Sequence, residues 1–104
     1  MRFMLRIEVK LPGWMSDAEK EDLRRREHDR AHELIAAGRL LRIWRIVGRI
    51  ANVSIWQAPT LEALHDMLAA LPMFPYMTID VTPLIDHPLT AHAEAVHGTT
   101  GPAA

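Results

Sequence analysis

The chain has 104 residues, 49% of them apolar, with a formal net charge of −1 and no cysteine. That length suits one domain with a modest core. The charge balance gives no electrostatic pull towards nucleic acid or an anionic membrane. The missing cysteines exclude disulfides and thiolate zinc sites. No apolar run approaches the roughly 20 residues of a membrane span. The alternating N-terminus has no signal-peptide pattern, so a cytoplasmic setting is expected.

Residues 2–11 alternate: Phe3, Leu5, Ile7, Val9 and Leu11 point one way, Arg2, Arg6, Glu8 and Lys10 the other. This predicts a strand with one buried face, stopped by Pro12-Gly13. Ser16 and Glu19 have the spacing of a capping box and open a helix that runs to Gly38. Its charge run, Glu19 to Asp22 and Arg24 to Arg26, reads as a solvated face. Residues 40–47 and 50–58 read as strands, with Gly48-Arg49 as a tight hairpin and Gly at its first turn position. Pro59 and Thr60 start a second helix with Leu61, Leu64, Leu68 and Leu71 on one stripe. Pro72 and Pro75 bracket a turn. Residues 77–81 form a fourth strand, with Met77, Ile79 and Val81 on one face and Thr78 and Asp80 on the other.

The order β-α-β-β-α-β predicts an α+β, ferredoxin-like domain over residues 1–88: a four-stranded antiparallel sheet with two helices on one face. Residues 89–104 form a tail, expected to be an arm or partly disordered. The sheet's other face needs a cover. Met4, Trp44 and Ile46 can present apolar atoms there, and a second copy packed sheet to sheet would bury them.

The first helix holds an anomaly. At about 100° per residue, Leu34, Ala31 and Ile35 lie within roughly 120° of Leu23, and Glu27 falls inside that stripe at roughly 40°. A carboxylate aimed at the interior must be paired, hydrogen-bonded or protonated, and desolvation raises its pKa. Such a group suits a general base acting on carbon. It can equally pair with Arg6, Arg42 or Arg45. His28 and His32 have a metal-chelating spacing, but no third ligand follows and no metal site is expected. His65 and His87 are isolated. Asn52 sits in a strand between Ala51 and Val53, where Asn is disfavoured. It either holds a backbone kink or points its amide into a pocket. Trp44 and Trp56 read as core or interface residues. There is no phosphate loop and no nucleophile elbow.

Several stretches of the chain resemble the muconolactone isomerase family of aromatic-compound degradation. They are Val9-Lys10-Leu11-Pro12, Leu23 to Glu27, and Trp44-Arg45-Ile46-x-Gly48-x-x-Ala51-Asn52-x-Ser54. Glu62-Ala63-Leu64-His65, Leu71-Pro72-x-Phe74-Pro75-Tyr76, Ile79-x-Val81 and His87-Pro88 follow. The likeness runs in register from about Met1 to Pro88.

The resemblance implies a ferredoxin-like subunit paired sheet to sheet into a dimeric α/β barrel and assembled further into a decamer. It also implies no cofactor or metal. The implied reaction is a 1,3 proton shift converting muconolactone to an enol-lactone. Glu27 would be the acid–base group and Asn52 an active-site amide, with Trp44, Arg45, Ile50 and Phe74 as substrate-binding residues. Two positions depart from the family: Ile50 stands where a Tyr is usual, and Arg49 where His or Lys is common. These departures bear on the substrate more than on the fold. The competing readings are elimination of chloride from a chloromuconolactone, a non-catalytic ferredoxin-like binding protein, and a cofactor-free monooxygenase.

Overall fold

The computed structural model describes residues 1–98. Its elements follow in chain order: β1 (Arg2–Val9), α1 (Asp17–Ala36), β2 (Leu40–Arg45), β3 (Ala51–Gln57), α2 (Leu61–Ala69), a 3₁₀ turn (Phe74–Tyr76), β4 (Met77–Leu84) and α3 (Thr90–His97). The four strands make one antiparallel sheet in the order β2-β3-β1-β4. This is the ferredoxin-like arrangement expected from the element order.

Period-two alternation assigns the two faces. Phe3, Leu5 and Ile7 of β1 are buried on one face, beside their cross-strand neighbours Trp56, Ser54 and Asn52. Leu34 of α1 and Leu64 and Leu68 of α2 join the same core cluster, so both helices cover that face. Trp56 donates its indole N–H to Ser54 Oγ at 2.9 Å, which satisfies two buried polar atoms within an apolar layer. The opposite face carries Met4, Arg6, Arg42, Trp44, Val53 and Ile55 and is covered by neither α1 nor α2.

Local signals set the helix ends. Ser16 Oγ accepts from the Glu19 N–H at 3.1 Å, and Glu19 returns a bond to the Ser16 N–H, completing the capping box. Gly38, at φ 72°, donates to the Ile35 carbonyl while Arg39 donates to that of Leu34. This Schellman pairing closes α1 and needs the left-handed residue that Gly provides. Leu23 and Leu34 are buried, and Ala31 and Glu27 partly so. Ile35, at the margin of the stripe, is half exposed instead, as is Leu61 at the start of α2.

The hairpin between β2 and β3 differs from the two-residue turn expected. The Arg49 N–H bonds the Ile46 carbonyl, so the turn spans residues 46–49 and Gly48 is its third position, at φ 80°. Positive φ at that position alone is the pattern of a type II turn. A further bond from the Ile46 N–H to the Ala51 carbonyl closes the loop. β2 also bulges between Leu40 and Arg42. The extra residue lets Leu40 face the core while Arg42 and Trp44 face away from it. The fourth strand runs to Leu84, beyond the expected Val81. The arm expected after residue 88 carries α3 over Thr90–His97, and its remainder, 99–104, lies outside the described residues.

Candidate active site

Glu27 lies midway along α1, on the side packed over the sheet. No arginine meets it. Arg6 reaches Glu8 instead, Arg42 stacks over the Trp44 ring at 5.4 Å, and Arg45 makes no ion pair among the described residues. Of the two readings open at the sequence level, pairing with one of those arginines is therefore not what the fold adopts. The Glu27 carboxylate accepts a hydrogen bond from the Met73 backbone N–H at 2.8 Å. Burial pushes its pKa up from the ordinary 4.5, against weaker opposing effects of that hydrogen bond and of the neighbouring His28. Desolvation thus outweighs stabilisation of the charge.

Met73 is placed by the chain around it. Leu71 is buried, Pro72 follows, and the Phe74–Tyr76 turn bonds back to Leu71 and Met73. The turn feeds directly into Met77, which pairs with Val9 at the end of β1. The Glu27 carboxylate is thereby tied to the segment that enters this end of the sheet. Phe74 packs on the core and meets His65 edge to face at 6.2 Å.

Asn52 belongs to the same end and the same face. It pairs with Ile7, which on its other side pairs with Ile79. Asn52 Oδ1 is buried and has no hydrogen-bond partner. A buried amide oxygen left unpaired costs about 1–3 kcal/mol. Of the two roles weighed for Asn52, a backbone kink is not seen, since the β1–β3 register runs unbroken through it. Arg45 pairs with Asn52 across β2 and β3, which puts both side chains on one face. Ile50 precedes Asn52 by two residues and is 71% exposed; its carbonyl accepts from the Val9 N–H.

The Val9–Met77 end of the sheet thus carries Asn52, Arg45 and Ile50 on or beside its strands, and Glu27 is bonded to Met73, next to Phe74, in the segment that leads into it. Trp44 is not among them within the subunit. It pairs with Val53 and faces the uncovered side, where it shares a groove with Arg2, Arg42, Ile55, Leu84 and Glu94 of α3. No group of three His, Asp or Glu side chains with metal-holding geometry occurs among the described residues. His28 and His32 are both exposed on α1. The residue that sequence reasoning missed is Met73. Its contribution is a backbone N–H, and only the Pro72/Pro75 punctuation marked the turn that presents it.

The family model described as muconolactone delta-isomerase matches residues 1–90. The chain belongs to the muconolactone delta-isomerase family. A muconolactone delta-isomerase of Pseudomonas aeruginosa is 42% identical over 94 residues, covering 90% of this chain and 98% of that protein. One from Cupriavidus pinatubonensis is 41% identical over 88 residues, covering 85% and 96%. The crystal structure of a muconolactone isomerase superposes with a TM-score of 0.79 at 43% identity, covering 85% of this chain and 92% of that one. Muconolactone delta-isomerases are isomerases, and their family assignment favours this class over the binding-protein and monooxygenase readings. Among the described residues no helix is long and apolar enough to cross a membrane.

Proposed function

We propose that the chain is a cofactor-free isomerase that moves the ring double bond of muconolactone or a closely related butenolide, with Glu27 as the acid–base group. The observation that carries this reading is a partly buried carboxylate with a raised pKa, held by a backbone N–H and not neutralised by an arginine.

Glu27 takes the proton from the ring carbon that bears the ring oxygen. The released pair forms the new double bond to the adjacent carbon. The original π pair moves towards the lactone carbonyl, giving a dienolate. Glu27, now protonated, returns a proton to the carbon next to that carbonyl. No atom is gained or lost, and one carboxylate serves both transfers. A raised pKa suits a group that must be both base and acid. Asn52 offers its amide to the ring or to the developing oxyanion, the kind of hydrogen bond that often contributes most to such steps.

The same reading places the protein in the cytoplasm, in the degradation of aromatic compounds. It also pairs two subunits through their uncovered sheet faces, within a larger ring. Met4, Trp44 and Leu84 are each more than a third exposed there, on the face that α1 and α2 leave open. The direct test incubates the purified protein with muconolactone and follows the product by ultraviolet absorbance and proton NMR. Appearance of the enol-lactone is expected. Chloride release from a chlorinated lactone, without isomerisation of the plain one, would replace this reading with elimination.

A further inference from the structure

The end of β1 joins two segments that flank the site. The Val9 N–H donates to the Ile50 carbonyl at 3.1 Å, and the Lys10 N–H donates to the Tyr76 carbonyl at 2.9 Å. The first bond holds the β2–β3 hairpin. The second holds the turn whose Met73 N–H meets Glu27. The hairpin side has little else to fix it, since residues 47–50 are all exposed. Glu8, the residue before Val9, supplies a side-chain tie. Its Oε1 accepts from Arg49 Nη1, and Arg6 approaches the same oxygen at 3.4 Å. Arg49, with help from Arg6, holds the Glu8 carboxyl below the ordinary 4.5, so the pair is ionised at neutral pH. The ion pairs of α1 join residues three or four apart along one helix. Arg49 and Glu8 are 41 residues apart and connect a turn to a central strand.

We infer that the Arg49–Glu8 ion pair is a positioning device that fastens the hairpin to β1 and fixes Ile50 at the rim of the site, so that Arg49 sets substrate selectivity by acting through Ile50. Its effect on turnover rests on the lactone-isomerase reading. Exposed ion pairs contribute little to overall stability. Here the contribution falls on a segment that opens locally, where a small free energy is enough to change how often the rim is in place. Asn52 lies on a strand paired on both sides, and Glu27 is held from the other bond of the β1 end. Loss of the pair therefore loosens the rim and leaves the proton-transfer group where it is.

The test compares wild type, Arg49→Gln, Arg49→Lys, Glu8→Gln and the double variant Glu8→Gln/Arg49→Gln, with light scattering to check that all share one assembly state. For either single Gln variant, KM for muconolactone should rise roughly two- to fivefold, the scale of an exposed ion pair, while kcat changes little. Arg49→Lys should recover part of the loss, and the double variant should lose no more than either single one. An unchanged KM, an equal fall in kcat, or additive losses in the double variant would overturn the pairing. Amide hydrogen exchange without substrate separates this inference from the reading beneath it. The Val9 and Ile46 N–H groups, bonded to the Ile50 and Ala51 carbonyls, should exchange roughly two- to fivefold faster in Arg49→Gln. The difference should narrow in about 0.5 M salt. If wild type turns over no butenolide yet these amides lose protection, the isomerase reading falls and the positioning pair stands. If their exchange is unchanged, the pair falls whatever the turnover.

Discussion

At Glu27 the fold tolerates a group that weakens it. The folded state holds the Glu27 proton more tightly than the unfolded chain does, because burial raises the pKa above 4.5. Stability from this group is therefore full at low pH and lost as pH rises from the unfolded value through the folded one. Glu27→Gln keeps an acceptor for the Met73 N–H and removes the charge. Its denaturation midpoint at pH 7 should be no lower than that of wild type, and the difference should shrink towards pH 4. Catalysis needs the opposite form, since the first step consumes a carboxylate. The acid limb of wild-type kcat/KM should accordingly lie above pH 4.5, and a limb at or below that value would show an unperturbed base. The inward aim of Glu27 was legible from helical periodicity, because one polar residue broke an apolar stripe. Its hydrogen-bond partner was not, since a backbone N–H 46 residues away has no signature in the sequence.

The β2–β3 hairpin is the element that sets the rim of the site. Its turn depends on Gly48 at φ 80°. Gly48→Ala should cost about 1 kcal/mol or more, because an L side chain is strained at positive φ; an unchanged melting curve would show that the turn rearranges freely. Ile50, at the end of that turn, is largely exposed beside Asn52. Ile50→Tyr should raise kcat/KM on muconolactone and lower it on a bulkier, more apolar lactone, since a site built around a hydrogen bond discriminates against ligands lacking it. An unchanged ratio of the two would make Ile50 a spectator. The capping box and the glycine that ends α1 were legible because they are local chemistry. The bulge in β2 was not, because alternation in Leu40, Arg42 and Trp44 reads the same with or without the extra residue. That one insertion decides that Leu40 faces the helices while Trp44 faces the other way, away from Glu27.

Across the whole molecule, the topology followed from element order, because short connections and one apolar face per strand leave few packings. Quaternary structure is not written in the same way. An uncovered sheet face says that something should cover it, and α3 stands at one edge of that face, with Glu94 sharing its grooves with Arg2 and Leu84. A dimer paired through this face should scatter light with at least twice the mass of one chain at micromolar concentration, and Trp44→Glu should weaken it. A stable monomer would remove the sheet-to-sheet arrangement and leave the Glu27 end of the subunit to act alone. The proton-transfer account itself turns on a single side chain. The most direct measurement is kcat for double-bond migration on muconolactone by wild type and Glu27→Gln, with folding of the variant checked by circular dichroism. The account predicts a well-folded variant slowed by roughly 10²-fold or more, the scale of general acid–base catalysis. A folded Glu27→Gln with near-normal kcat would contradict it.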